Sequence, residues 1–529
     1  MHHKIKPILI AFFALMLLAS CEKDLDLVPE DTRQSSANVF DDPASYKQFL
    51  AKLYAGLAVS GQQGPAGLPD LVGLDEGFSQ YLRLYWMMQE LTTDEAVIGW
   101  NDGTIKDLHS QTWTSGNEFI RTMYSRIMYQ VALTNEFLRQ TTDAKLDGRG
   151  VNDELYAEIQ KYRAEARFLR ALSYYHALDL FGNPPFVTEE DPIGAFLPEQ
   201  INRPDLFVYI ESELLEIEDD IIPAKANEYG RADQAAVWML LAKLYLNSEV
   251  YTGTPRYDDV ITYTEKIIAA GYSLPSEYQN LFLADNDSNG AQNGVIFPIT
   301  FDGINTNSFG GMTFIIHAAI GGSMDPLEYG VNSGWAGLRT TPEFVGLFPN
   351  GGDSDDNREM FYTDGQQLDI TDISNFSHGY AIGKFKNIDS QGNQGTDATG
   401  EHVDTDFPLF RLADVYLMYA EAAVRGGGNM GLAVDYVNQL RARAYDGGGQ
   451  ITAADLTLDF ILAERGRELY WEAHRRTDLI RFQKFSKNGI WAFKGGVPNG
   501  TTTEEFRNLF PIPASDLGVN TNLTQNTGY

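Results

Sequence analysis

The sequence predicts a mostly helical protein of paired helices, with one long loop-rich, partly β segment set among them. Three observations predict this. Apolar residues recur every three or four positions along most of the chain. Two such runs, Ala235 to Tyr251 and Tyr257 to Ala270, sit back to back across a short turn, at roughly the size of a tetratricopeptide repeat. From 276 to 407 the periodicity stops, and Gly, Asn, Asp and Ser crowd in. At 529 residues and 43% hydrophobic content, the chain can build one large core or a few ordinary ones.

The first forty residues stand apart. The run Ile8 to Ala19 is apolar but only about a dozen residues long, behind a basic tip with Lys4 and Lys6. Crossing a bilayer takes about 20 residues, so the run has the length of a signal-peptide core. Ala19 and Ser20 lead into Cys21, the only cysteine. Leu-Ala-Ser-Cys resembles a bacterial lipobox, in which the cysteine sulfur takes diacylglycerol and becomes the mature N-terminus. The expectation is a removed signal over 1–20 and an acidic tether over 21–40 behind a lipidated Cys21. An ordinary signal cut nearby, with Cys21 incidental, is the alternative. Once Cys21 is alkylated, neither disulfides nor thiolate chemistry is open to the chain. Everything after it is extracytoplasmic, held by acyl chains worth about 0.8 kcal/mol per buried CH₂.

The helical scaffold is expected over 41–275. In "DDPASYKQFLAKLYAGLAV", Pro43 marks a start, and Tyr46, Phe49, Leu50, Leu53 and Leu57 form one face. Runs such as "LYAEIQKYRAEARFLRALSYYHALDLFG" and "DLFVYIESELLEIEDDI" continue the pattern, and Gly271 ends the last. Ala236 and Ala242 allow a close approach between the paired helices. In the 276–407 insertion, "GVIFPITF" and "MTFIIHAAI" read as short β pieces. Helices resume over 408–529 with "PLFRLADVYLMYAEAAVRGGG" and "LDFILAERGRELYWEAHRRTDLIRFQKF", before a Pro- and Gly-rich tail.

The formal charge of −33 argues against nucleic acid, whose binding draws on clustered Lys and Arg. It leaves carboxylates for cations. "DNDSNG", Asp285 to Gly290, has the oxygen spacing and the glycine of a calcium loop, but its twelfth position is Ile296, so it is not an EF-hand. Asp404 and Asp406 are able to supply further oxygens, or else are loop caps. "GGDSDDNREM" has Arg358 where glycine is required and reads as a solvated acidic loop, and "GYAIGKF" falls short of a phosphate loop. Neither HExxH nor G-x-S-x-G occurs. Paired carboxylates for glycoside hydrolysis have candidates in Asp75, Glu76, Asp94 and Glu95, but no spacing singles them out.

Trp100 in "IGWNDG" and Trp335 in "VNSGWAGLRT" lie in Gly- and Asn-rich loops without an apolar period, and Phe309 in "TNSFGGMTF" has the same setting. Rigid rings held flat and open suit the apolar face of a sugar, with Asn, Asp and Arg beside them bonding its hydroxyls. Rings that plug their own loops are the competing reading.

The lipobox, "AEARFLRALSYYHALDLFGNPPF", "RLADVYLMYAEAAVRGG", "AERGRELYWEAHRRTDLIRF", "LFPIPASDL" and "NLTQNTGY" together resemble SusD/RagB-type nutrient-binding lipoproteins, in the family's order from Cys21 to the C-terminus. The resemblance implies a single large domain of tetratricopeptide-like pairs. It implies a non-catalytic glycan-binding lipoprotein, exposed on the outer membrane and capping a SusC-like TonB-dependent transporter. Glu22 and Asp24 are similar to the family's surface-export signal. "LPDLVGLDEG", "ELTTDE", "YLNSEVYTG", "LFLADND", "DTDFPLFRLA" and "FKGGVPNGT" also resemble the family's starch-binding founder. That likeness implies an aromatic arc of Trp100, Trp335 and Phe309 that cups an α-glucan, with Arg83 and Asn101 bonding hydroxyls. It also implies a structural Ca²⁺ at Asp287, Asp404 and Asp406, with less support for Asp285. Two departures thin the arc. Phe309 replaces a tyrosine, and Ile98 stands where the founder has a second aromatic. A binding protein of the same family for a different glycan, a surface glycoside hydrolase and a purely protein-binding scaffold are the rival readings.

Overall fold

The computed structural model describes residues 39–529 apart from 63, 67, 68, 72, 73, 352 and 353. Cys21, the signal run and all but the end of the tether lie outside the described residues. Among those described, twelve helices reach seven residues or more. They are α1 (Ala44–Ala58), α2 (Tyr81–Gln89), α3 (Glu118–Gln140), α4 (Asp153–Leu180), α5 (Arg203–Ile217) and α6 (Gln234–Leu246). The others are α7 (Tyr257–Ala269), α8 (Gly311–Ala318), α9 (Leu412–Val424), α10 (Met430–Ala444), α11 (Leu458–Leu469) and α12 (Arg475–Arg481).

Local chemistry sets most of the starts. Side chains of Asn117, Asn152, Asn202, Asp233, Asn429 and Thr457 accept from the first free N–H groups of α3, α4, α5, α6, α10 and α11. Each such cap is worth about 1 kcal/mol. Gly271, at φ 79°, follows α7 as expected. The helices pack in series: α3 on α4, α4 on α5, α6 on α7, α7 on α9 and α9 on α10. Ala236 and Ala242 are fully buried on α6, and the rings of Tyr245 and Tyr263 pack between α6 and α7 at 5.7 Å. Phe49–Tyr529 forms one compact unit. In the stretch before it, the rings of Phe40 and Tyr46 pack at 5.0 Å.

Three pairs of short antiparallel strands stitch distant segments together. β1 (Val97–Ile98) pairs with β3 (Leu338–Arg339), β2 (Val295–Ile299) with β6 (Phe407–Arg411), and β4 (Phe361–Tyr362) with β5 (Ala381–Ile382). The β2–β6 ladder joins the two ends of the loop-rich segment, Val295 opposite Arg411 and Ile299 opposite Phe407.

Four sequence expectations are corrected. "MTFIIHAAI" is helix α8, not a strand; a run buried on every side carries no period to separate the two. The Ala235–Tyr251 helix ends at Leu246, and Ser248–Thr252 makes a separate turn closed by Gly253 at φ 78°. The long run from Leu458 breaks between α11 and α12, where Trp471 and Ala473 take φ of 62° and 64°. Non-glycine residues there cost about 1–3 kcal/mol each. The break is held by Glu95, which accepts the Trp471 N–H at 2.9 Å, and by Glu90, which accepts that of His474 at 2.9 Å. Finally, "GGDSDDNREM" is not solvated throughout. Asp356 and Arg358 are buried and paired at 2.7 Å, because the Arg358 guanidinium also reaches Glu464 and Glu468 on α11.

Candidate functional site

The pairing of β1 with β3 brings Trp100 and Trp335 together. Trp100 follows β1, Trp335 precedes β3, and the Gly99 N–H donates to the Gly337 carbonyl at 2.9 Å. The indole of Trp100 packs directly on Gly337, where any side chain would collide with it. Its Nε1–H donates to the Trp335 carbonyl at 3.0 Å. Trp335 is held by its own N–H on the His317 carbonyl at 2.8 Å, and its ring stacks on the His317 imidazole at 4.6 Å and 25°. Burial pushes that imidazole down to about 4, so it is neutral behind the indole.

The rings form a row. Centroids of Trp100 and Trp335 stand 6.3 Å apart, Trp335 and Phe309 6.4 Å, and Phe309 and His402 5.2 Å. All four residues are half-buried. Each of the three predicted rings packs on a segment other than its own loop: Trp100 on Gly337, Trp335 on His317 and Phe309 on His402. Phe309 is fixed through its backbone: its N–H donates to Glu76 Oε2 at 3.0 Å, and its carbonyl accepts from Arg83 Nη1 at 3.3 Å. Asn101 is exposed beside Trp100.

Arg83 is placed differently from the expectation that it lines the open surface. It is only 2% exposed, on α2 beneath the row. Its guanidinium carbon lies 4.2 Å from the Phe78 ring centre and 4.0 Å from that of Phe314. Its Nε and Nη2 have no partner among the described residues. Burial pulls the guanidinium down to about 9, against the pull of Asp75, Asp102 and Glu76. As it stands, Arg83 supports the row from below rather than facing a ligand.

The carboxylates considered for hydrolysis are committed to structure. Glu76 accepts from the Ser60 hydroxyl and the Phe309 N–H, and Asp94 takes both arms of Arg475 at 2.7 and 2.6 Å. Glu95 accepts the Trp471 N–H, and Asp75 closes a turn on the Gly77 N–H.

Asp287, Asp404 and Asp406 line one cleft of about 360 Å³, with Asp285, Asp302 and Asp389. Burial, with Asp287 and Asp404 adding repulsion, pushes the Asp406 carboxyl up to about 7. Asp404 is engaged by the Gly303 N–H at 2.6 Å and the Thr396 hydroxyl at 2.7 Å. Asp285 is a loop cap, accepting from Asn289 and Ser390. The all-oxygen donor set suits a hard cation. Among the described residues, however, no three carboxylate, imidazole or thiol side chains close on one point, so backbone oxygens or water would have to complete a shell.

Sequence reasoning missed His402, His317, Phe314 and Phe78. His402 stands two residues before Asp404, in the same "HVDTDF" that was read for its carboxylates. His317 and Phe314 were hidden by reading their segment as a strand.

Helical pairs carrying a row of rings on stitched loops define a ring-lined, open surface site on an α scaffold. The comparisons give that class its family. Residues 356–529 match the model of the SusD family. The starch-binding protein SusD of Bacteroides thetaiotaomicron is 36% identical over 97% of this chain and 96% of its own. The chain belongs to the SusD family. Among solved structures, a SusD superfamily protein from Parabacteroides distasonis aligns with a TM-score of 0.70 at 24% identity, over 94% of this chain and all of that one. Surface glycan-binding protein A of Bacteroides thetaiotaomicron, solved with laminarihexaose, aligns at 0.69 and 20% identity, over 91% of this chain and 99% of that one. These two likenesses are of fold.

Proposed function

We propose that the protein is a non-catalytic, cell-surface lipoprotein that binds starch-type α-glucan or malto-oligosaccharides and delivers them to a SusC-like TonB-dependent transporter in the outer membrane. One observation carries the reading: the half-open row Trp100, Trp335 and Phe309, at 6.3 and 6.4 Å spacing, with exposed Asn101 alongside. Such a row offers flat apolar faces to successive sugar rings, while an amide bonds their hydroxyls. The likeness to a protein named for starch binding supports the glucan. The absence of turnover is supported by the commitment of Asp75, Glu76, Asp94 and Glu95 to internal bonds. Lipid on Cys21 supplies the anchor, and Asp287, Asp404 and Asp406 supply the oxygens of a structural calcium ion.

Affinity gels cast with starch, and in parallel with laminarin, test the glycan. Starch should retard the mature protein, and no reducing ends should be released from malto-oligosaccharides. Retardation by laminarin alone would assign the site to a β-glucan, and by neither would remove the glucan. Calcium is tested by melting with and without chelator. An ion bound only by the folded state at 100 times its dissociation constant adds about 2.7 kcal/mol, and an unchanged Tm excludes it. The mass of the mature N-terminal peptide tests the anchor.

A further inference from the structure

The row of rings does not end at Phe309. His402 continues it at 5.2 Å, and both residues also line a second cleft of about 650 Å³ whose other walls include Val59, Gln62, Pro65 and Asn305. Clefts of about 300–1,000 Å³ are those that hold small-molecule-sized groups. We propose that this cleft is a further glycan subsite, taking neutral sugar rings of the same chain beyond Phe309, so that the protein selects glucans longer than the aromatic row covers. The proposal rests on the glucan reading above and adds chain-length selection to it.

The chemistry of the walls favours an uncharged sugar. Val59, Pro65 and the Phe309 ring supply apolar contact. Asn305 donates its amide N–H to Asp302 at 2.9 Å, and Asn307 donates its own to the Gly303 carbonyl at 2.8 Å. Both amides are thereby fixed in place, each with an oxygen left to accept from a hydroxyl. Gln62 is exposed with its amide unspent among the described residues. The one lysine on the wall, Lys52, is already neutralised by Asp70 at 2.8 Å, and Glu401 adds a negative charge. An anionic sugar would meet that repulsion with no unpaired lysine or arginine among the described residues of the wall. The shape is also fixed. Gly64, at φ 57°, lies so close to the Asn307 carbonyl that a side chain there would collide with it, so this wall and the Asn307 loop meet in backbone contact.

The test is a ladder of linear oligosaccharides of increasing length, α-1,4 in one series and β-1,3 in the other, titrated calorimetrically into the full mature protein. Wild type should gain about three- to tenfold in affinity once the chain outruns the row, the worth of one or two net hydrogen bonds. Val59→Trp, which puts an indole into the cleft and narrows it, should cut that gain and leave the short members unchanged. Asn305→Ala, at an exposed position, should reduce it, and both variants should melt as wild type. A full gain in both variants, or short members bound with no gain at any length in wild type, overturns the cleft alone. Binding of neither series overturns the glucan reading and the cleft with it. Trp335→Ala separates the two further, because it should weaken every length alike.

Discussion

The aromatic row and the ionic core beneath the C-terminal helices use the same residue types to opposite ends. In the core, Glu468 is wholly buried, yet it meets Arg358 at 3.2 Å, Arg411 at 2.7 Å and Arg443 at 2.5 Å. Glu472 binds Lys384 at 2.6 Å and Arg411 at 2.5 Å. These arginines hold the Glu468 carboxyl far below the usual range. Beneath the row, Arg83 is 2% exposed, and its Nε and Nη2 have no hydrogen-bond partner among the described residues. Buried charge is met by carboxylates in one region, although Arg443 Nε and Nη1 also lack hydrogen-bond partners among the described residues, and by ring faces and one carbonyl in the other. Ion pairs hold the core together, whereas the Phe78 and Phe314 rings hold the cation under the row.

The largest effect should come from breaking the core. Glu468→Ala leaves three buried guanidinium groups short of a carboxylate and should cost about 3–5 kcal/mol in urea unfolding. A loss below 1 kcal/mol would mean the core's charges are dispensable and would erase the contrast.

At the row, Trp335→Ala or Trp100→Ala should weaken retention on starch gels by about tenfold, on the scale of a lost aromatic contact. Circular dichroism should be unaltered. Equal retention in both variants would remove the row as the site.

A third measurement uses pH. Glu90 and Glu95 lie buried under the break after α11, and burial pushes the Glu90 carboxyl up to about 7 and raises Glu95 as well. The folded state therefore holds protons that the unfolded state has released, so the contribution of these two groups to stability is full near pH 4 and is lost as pH rises through 7. Glu90→Gln should flatten that fall by about 1–2 kcal/mol in melts from pH 5 to 8. An unchanged slope would place the proton elsewhere.

The smallest expected effect is the most telling. Arg83→Met keeps the packing between Phe78 and Phe314 but deletes an under-bonded buried charge, so stability should stay within about 1 kcal/mol of wild type. Starch retention should fall less than in Trp335→Ala, through loss of the hold of Nη1 on the Phe309 carbonyl at 3.3 Å. Loss of stability matching that of Glu468→Ala would make Arg83 one more core residue.

Much of the scaffold was legible in the chain. The apolar face of Tyr46, Leu50, Leu53 and Leu57 and the stop at Gly271 are local signals, read within a few helical turns. The strand Val295–Ile299 was legible too, its short apolar run being bounded by turn residues. The helix Gly311–Ala318 was not, since burial on all sides removes the period. The break at Trp471 was not either, since its cause, Glu95, lies 376 residues away in sequence.

The sequence alone determined the paired helices, the loop-rich segment and which rings lack an apolar period, because propensity, capping and periodicity act over a few residues. Only the tertiary structure decided that Trp100 and Trp335, 235 positions apart, become neighbours, that His402 lengthens their row, and that Arg83 lies beneath it. Those outcomes depend on a two-residue strand pairing, on glycines admitting close approach and on which charges find partners. None of these is written in any one stretch of chain.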